Sequence, residues 1–350
     1  MKIMVYEGPR VLKIREVPDY ESPGPNDARI QTMYSGVSHG TEIGIYRGTA
    51  PNYTKINDGE YRLFRPARGG AWQYPIRSCD PGVWYMGYAN VGRVVETGAA
   101  VTRVKAGDVV SVSAPHQSMV LQNEWGCLKL PDGCDPVIGV FWPNLMTTYN
   151  GILDTHIKLG DTVVIAGLGV LGQMLVQMAT MNGAFQVIGV DVNQRRCDIA
   201  LKNGATAVLN PKTTADVALE VRKMTDKRGA DEVIDVSGHY ASLNESIRMV
   251  APDGIVTALG WYNGPASALN LGEEFHHNRV TLKCSHTAAL APSLANAWTQ
   301  ERRAENCYRL LQRLNFADLT QNVFPYEKAA EVYDRIDKGD ETLIQAIFKY

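Results

Sequence analysis

The sequence predicts an α/β protein in two parts: an antiparallel barrel-like domain, then a doubly wound parallel sheet. Two observations carry this expectation. Residues 1–144 hold short β-branched runs punctuated by Gly, Pro and Asn/Asp. Over residues 145–287, strand-like apolar runs alternate with stretches of helical apolar spacing, the pattern of a parallel sheet wrapped by helices. Residues 288–350 return to helix, helix and strand.

In the first part, "ARIQTMYSGVS", "NVGRVVETG" and "DVVSVSA" read as strands, and "GVSHGTE" as a strand running into a loop. Residues 46–88 form a long irregular stretch carrying Tyr46, Tyr53, Tyr61, Phe64, Trp72, Tyr74, Trp84, Tyr85 and Tyr88. Loops of that length are uncommon and often functional. Rings with polar handles suit the face of a sugar or another flat molecule, with core packing as the competing use.

In the second part, "DTVVIAG", "FQVIGVD", "AVLN", "DEVIDVSG" and "GIVTALG" read as strands. "LGQMLVQMATMNG", "QRRCDIALKNG", "ADVALEVRKMT" and "YASLNESIRMV" read as the helices between them. Beyond residue 288, "LANAWTQERRAENCYRLLQRL" reads as a long amphipathic helix, "PYEKAAEVYDRIDKG" as a Pro-bounded helix and "LIQAIFKY" as the last strand.

Composition narrows the class. The chain has 350 residues, 45% apolar and 21% charged, which suits a globular protein of two domains. A formal net charge of -2 offers no attraction to nucleic acid or to an anionic membrane. No run of eighteen apolar residues suggests a membrane span, and "MKIMVYEGPRVLKIREV" reads as strand rather than signal peptide. The six cysteines are scattered without a Cys-x-x-Cys, so a disulfide framework is not expected and a reducing cytoplasm is.

"VVIAGLGVLGQ" places Gly167, Gly169 and Gly172 in G-x-G-x-x-G spacing between a strand and a helix, with Val170 and Leu171 opening that helix. The first glycine permits a tight turn, the second a close approach of pyrophosphate, and the third close packing of helix on strand. Asp191 ends the next strand, nineteen residues past Gly172, and can accept both hydroxyls of an adenine ribose. That favours NAD over NADP, with Val192 beside it and Arg195 and Arg196 able to stack on adenine or bind a phosphate. Ser237, Leu259 and Gly260 fall at carboxyl ends of predicted strands, where cofactors bind in open parallel sheets.

"SGVSHGTEIGIYRG", "GYANVGRVVETGAAVTRVKAGDVV", "LKLPDG", "IKLGDTVVIAGLGVLG" and "FHHNRVTLKCS" occur in the order found in the medium-chain dehydrogenase/reductase superfamily, which the chain resembles over nearly its full length. The resemblance implies a GroES-like antiparallel β-barrel catalytic domain completed by the return segment, residues 288–350, a Rossmann domain, a small-molecule alcohol or ketone substrate, and a homodimer.

Departures from the family pattern are informative. The usual Gly-His-Glu stands here as Gly87-Tyr88-Ala89. Ser38 or His39 occupies the place of the catalytic cysteine, Trp142 and Asn144 flank Pro143, and the cysteine lobe of structural zinc is absent. Zinc needs three or four converging ligands, so none is expected. In this the chain is similar to the zinc-lacking subgroup of hydroxyethyl-bacteriochlorophyllide dehydrogenase-like proteins.

Without a metal, side chains must handle the substrate proton. His39 is the candidate acid/base, with an ordinary pKa of ~6.5. Ser38 and Thr41 are candidate relay hydroxyls, Glu42 an orienting carboxylate, Tyr88 a phenol aimed at the reacting oxygen, and Asn90 a further donor. His116 is expected at a strand end facing the cleft, Lys283 and Ser285 near the nicotinamide, and His276 and His277 in a structural role. The resulting expectation is a zinc-independent, NAD-linked dehydrogenase for a secondary alcohol, with a sugar, polyol or cyclic alcohol favoured. An NADPH-linked enoyl or quinone reductase and a non-catalytic dinucleotide-binding redox sensor are the alternatives.

Overall fold

The computed structural model describes residues 1–67, 72–294 and 296–350, and they fall into two units. The first comprises residues 1–143 and 319–350, the second residues 144–318. The sequence reading started the return segment at residue 288; residues 288–318 cluster with the second unit instead.

The first unit opens with β1 (Lys2–Gly8), β2 (Val11–Glu16) and β3 (Asp27–Gly36). Then comes α1 (His39–Tyr46), where a loop was expected. Ser38 is its N-cap residue without a side-chain cap bond, and Glu42, one turn on, secures the start by accepting the Ser38 N–H on Oε1 at 2.7 Å. The irregular stretch adds β4 (Lys55–Asp58), β5 (Leu63–Pro66) and β6 (Ile76–Arg77). The predicted strands follow as β7 (Asn90–Thr97) and β8 (Val109–Val112), with β9 (Met119–Asn123) and β10 (Cys127–Lys129) after them.

These strands make antiparallel sheets. β1 lies between β2 and β6, and a larger sheet runs β10-β8-β7-β3, with β9 also on β3. The chain's last elements join it: β17 (Asn322–Pro325) pairs parallel with β18 (Ala346–Lys349), and β18 pairs antiparallel with β3. Phe348 stands opposite Ser35 in that register, and Ser35 stands opposite Asn90 on β7. Between β17 and β18 runs α9 (Ala329–Asp337), whose Ala329, Val332 and Tyr333 are buried at helical spacing. They pack with Met4, Tyr6, Ile43, Ile45, Tyr326 and Phe348 into one core. The carboxyl-terminal strand therefore lies between β3 and the edge strand β17.

Much of the aromatic stretch is spent on packing. Trp72 stacks on Tyr85 at 3.8 Å and Tyr53 on Tyr74 at 5.3 Å, while Tyr46 joins Tyr6 and Tyr333. Tyr61, Phe64 and Trp84 remain exposed, the first two on the separate β4–β5 hairpin or its turn.

The second unit begins within α2 (Trp142–Asp154), whose first two residues close the leading part of the first. Its six parallel strands are β11 (Thr162–Ala166), β12 (Gln186–Val190), β13 (Ala207–Leu209), β14 (Ala230–Asp235), β15 (Val250–Ala258) and β16 (Thr281–Cys284). They are ordered β13-β12-β11-β14-β15-β16. This is the doubly wound order with its switch point between β11 and β14. The helices of the unit are α3 (Val170–Met181), α4 (Gln194–Lys202), α5 (Val217–Met224), α6 (Tyr240–Met249), α7 (Glu274–His277) and α8 (Gln300–Leu310). The helix expected from residue 294 starts later, at α8, because Thr299 caps it by accepting the Arg302 N–H. Among the described residues no helix is long and apolar enough to cross a membrane.

Candidate active site

The glycine loop joins β11 to α3. Gly167 has φ +94°, and a Cβ there would lie 2.8 Å from the Ser237 backbone. A Cβ on Gly172 would lie 1.9 Å from the Gly167 carbonyl oxygen. Around Gly169 nothing would be met within 4 Å. Gly169 is also the N-cap residue of α3 and carries no side chain to cap it, so the first-turn N–H groups at Val170 and Leu171 are uncapped donors. Two glycines are therefore demanded by the fold itself, and the third keeps an open cradle at a helix N-terminus. These residues fit the pyrophosphate of a nicotinamide dinucleotide.

Asp191 follows β12 and is 8% exposed. Its Oδ2 accepts the Leu168 N–H at 2.7 Å and its Oδ1 the Asn193 N–H at 2.8 Å, which ties the carboxylate to the loop. Arg196 Nη1 lies 3.7 Å from Oδ2, and Val192 is exposed beside it. Ser237 donates to Asp235 Oδ1 at 2.8 Å, and Leu259 N–H donates to the Asp235 carbonyl, so β14 and β15 end together. A Cβ on Gly260 would lie 2.6 Å from Gly238 N, another close backbone approach.

Two expected neighbours of the nicotinamide are committed elsewhere. Lys283 Nζ donates to the Asp154 carbonyl at 2.7 Å, and Ser285 Oγ donates to Asp154 Oδ2 at 2.7 Å. Their register on and after β16 turns both toward the end of α2. His276 and His277, on α7, are exposed.

In the first unit a polar cluster forms around α1. The Tyr88 phenol donates to Ser38 Oγ at 2.6 Å. Burial lifts the Tyr88 pKa above its ordinary value, against the pull of the Ser38 hydroxyl and with the Glu42 charge adding to it. Tyr88 therefore remains a donor at neutral pH.

Glu42 is fully buried beneath this pair. Besides the Ser38 N–H it accepts from His116 Nε2 at 2.9 Å and from the Tyr333 phenol. Burial, joined by the Glu42 charge, pushes the Tyr333 pKa well up, so it too stays protonated. Three donors on one carboxylate offset its desolvation.

His39 opens α1, and its Nε2 accepts the Ala346 N–H at 3.3 Å, which leaves the proton of the neutral ring on Nδ1. Thr41 lies on the same turn.

Asn90 corrects an expectation. Its amide hydrogens go to Thr32 Oγ1 at 3.1 Å and the Pro115 carbonyl at 3.3 Å, bracing β3 and β7 rather than reaching a substrate. His116 corrects another, since its side chain is completely buried and does not stand open at a strand end. Ser35, Tyr333 and Tyr350, which complete the cluster, carry no local signal in the sequence: Ser35 bonds Tyr350 across 315 residues. Among the described residues no three His, Cys, Asp or Glu side chains converge as metal ligands. The hydroxyls and carboxylate around Ser38 already satisfy one another, a donor set that does not fit zinc.

A family profile described as zinc-binding dehydrogenase matches residues 170–300. D-guloside 3-dehydrogenase of Escherichia coli (strain K12) is 32% identical over 99% of this chain and 99% of its own length. Two solved Escherichia coli structures share the fold over the whole chain. An oxidoreductase/dehydrogenase of unknown specificity has a TM-score of 0.77 at 20% identity, covering 99% of that structure. Galactitol-1-phosphate dehydrogenase has a TM-score of 0.78 at 15% identity, covering 100% of it. With a glycine loop fit for a dinucleotide and a full-length relative of this kind, the chain belongs to the medium-chain dehydrogenase/reductase superfamily of zinc-binding-type dehydrogenases and is an NAD(P)-dependent oxidoreductase acting on CH–OH groups.

Proposed function

We propose that the chain oxidises a secondary ring hydroxyl of a sugar glycoside, or reduces the matching ketone, with NAD as partner and side chains in place of catalytic zinc. This sets it with the zinc-lacking members of its superfamily. The observation that carries the reading is the 2.6 Å hydrogen bond from Tyr88 to Ser38 above a buried carboxylate. The likeness to D-guloside 3-dehydrogenase supports the substrate class.

Bound nicotinamide accepts or supplies the hydride. The chain's own residues manage the oxygen and its proton. Ser38 Oγ accepts from Tyr88, so its own hydroxyl proton is directed onward to the substrate oxygen, and the two hydroxyls polarise each other. Charge developing on that oxygen is met by this donor pair. In oxidation His39 takes up the substrate proton at Nδ1 in the tautomer that carries its own hydrogen on Nε2, the ring giving up the Ala346 N–H, and in reduction the imidazolium returns that proton from Nδ1. Thr41 supports the Tyr88 phenol from the same turn.

Asp191 favours NAD, since a 2′-phosphate would meet a buried carboxylate. A homodimer joined along β16 is part of the reading, supported by the place of that strand at the sheet edge.

The test is NAD and NADP reduction with a panel of methyl hexopyranosides, gulosides included, alongside zinc analysis and chelator treatment. NAD-linked turnover that survives chelation is expected. Tight NADH binding without turnover on any glycoside or ketone would turn the reading toward a redox sensor, and chelator-sensitive turnover would end the zinc-free mechanism.

A further inference from the structure

We propose that His116 is a positioning residue for this reaction, fixing the Ser38–Tyr88 pair by gripping both segments that supply it. The inference rests on the reading of that pair given above.

His116 is 0% exposed and is engaged on every polar atom. Its N–H donates to the Met86 carbonyl at 2.9 Å, and its carbonyl accepts the Tyr326 phenol at 2.6 Å. The ring reaches two more segments, with Nε2 on Glu42 Oε2 at 2.9 Å and Nδ1 on Ser35 Oγ at 2.7 Å. An ionised Glu42 only accepts, so Nε2 carries a proton. Nδ1 of the neutral ring then accepts from Ser35, whose oxygen in turn meets the Tyr350 phenol at 2.9 Å. Donation runs in one direction from Tyr350 to Glu42, with no atom left over. Phe348 meets the ring edge-on at 5.3 Å, so the imidazole has no room to rotate.

The second grip is steric. Gly87 immediately precedes Tyr88 and has φ +107°. A Cβ on it would lie 2.7 to 2.9 Å from His116 Cδ2, Nε2 and Cγ. The backbone that delivers Tyr88 therefore lies directly against the imidazole. The same ring holds Glu42, and Glu42 holds the Ser38 N–H. Ser38 and Tyr88 are 50 residues apart, and one rigid buried group sets the spacing between their segments. The array orients and does not conduct: a peptide N–H stands between Glu42 and the Ser38 hydroxyl, and a peptide does not pass its proton on.

The experiment compares His116→Gln with His116→Leu, each alone and with Ser38→Ala, in glycoside oxidation by NAD. The glutamine amide can still donate to Glu42, so His116→Gln should retain kcat within about threefold, whereas His116→Leu should lose about tenfold to a hundredfold, the rate equivalent of one hydrogen bond to a charged group. NADH affinity should not change. In the Ser38→Ala background His116→Leu should add less than about twofold, because the pair it positions is already broken.

Equal losses in the two His116 variants, or an undiminished loss in the Ser38→Ala background, overturn the proposal alone. Full activity of Ser38→Ala sinks the reading of the pair and this inference with it. Should His116→Leu not fold, Ser35→Ala, which removes the Nδ1 partner, takes its place in the cycle with an expected loss of about threefold to tenfold. Nitrogen NMR of the His116 ring decides without any substrate: a slowly exchanging Nε2 proton is expected, and a ring protonated at Nδ1 alone overturns the proposal.

Discussion

The glycine loop of the second unit is a site made of backbone, whereas the Ser38 cluster of the first is made of side chains. At the loop, Gly172 and Gly167 are needed because any Cβ would strike backbone, and Gly169 keeps space clear for a ligand. Around Ser38 the proposed site is built of hydroxyls, an imidazole and a carboxylate from Ser38 and α1, β3, the Gly87 segment, the loop between β8 and β9, α9 and the residue after β18. The difference teaches how each fails: the first by gaining a methyl group, the second by losing an atom.

The largest effect should come from Gly172→Ala. Its Cβ would lie 1.9 Å from the Gly167 carbonyl oxygen, and backbone cannot move aside as a flexible side chain would. Overpacking of this kind costs about 1–3 kcal/mol or more, and NADH affinity should fall roughly a hundredfold with a lower Tm. Gly169→Ala should keep the wild-type Tm and lose only about tenfold in NADH affinity, because its methyl meets the ligand and not the protein. Titration of NADH fluorescence beside thermal melts would show this, and equal Tm losses would break the contrast.

On the other side of the comparison, Tyr88→Phe and Ser38→Ala should each lower kcat about tenfold to a hundredfold with NADH affinity intact. Because Tyr88 is held above the ordinary phenol range, the neutral inflection of the kcat–pH profile should persist in Tyr88→Phe and disappear in His39→Gln. Profiles between about pH 5 and 9 bracket the ordinary imidazole value of ~6.5 and would show either outcome.

Two buried glutamates sharpen the contrast further. Glu42 has three donors, while Glu232 on β14 accepts the His156 N–H on Oε1 and leaves Oε2 without a partner among the described residues. Burial pushes the Glu232 pKa from 4.5 up to about 7. Its folded value lies above its unfolded one, so stability is full below about pH 4.5 and declines as pH rises toward 7. The decline is on the order of 3 kcal/mol. Glu232→Gln should match the wild-type Tm near pH 5 and exceed it near pH 8, the reverse of what removing a supported carboxylate would do. The smallest effect is expected from Phe64→Ser on the exposed hairpin, within about 0.5 kcal/mol by denaturant melts.

What the sequence disclosed follows the same division. The strand–helix alternation of the second unit is a local pattern, as is the spacing of Gly167, Gly169 and Gly172, and both were legible. The start of α1 was not, since Ser38-His39-Gly40 lacks a strong helix period and the turn is secured by Glu42 reaching back to the Ser38 N–H. His39, Ser38, Glu42 and Tyr88 could be nominated from resemblance, but not the hydrogen bond in which the Tyr88 phenol donates to Ser38. Tyr333 and Tyr350 were beyond reach, because nothing near them in the chain shows that the last strand lies against β3. Asn90 was misjudged for a related reason: an amide in a strand is claimed first by its neighbours across the sheet.

The pairing of Trp72 with Tyr85, planes 23° apart at 3.8 Å, has an optical consequence. Transition dipoles locked that close couple and yield an asymmetric near-ultraviolet dichroism band whose strength depends on both rings holding their mutual orientation. Docking of the segment between them can thus be followed by light alone, with no label, ligand or turnover required.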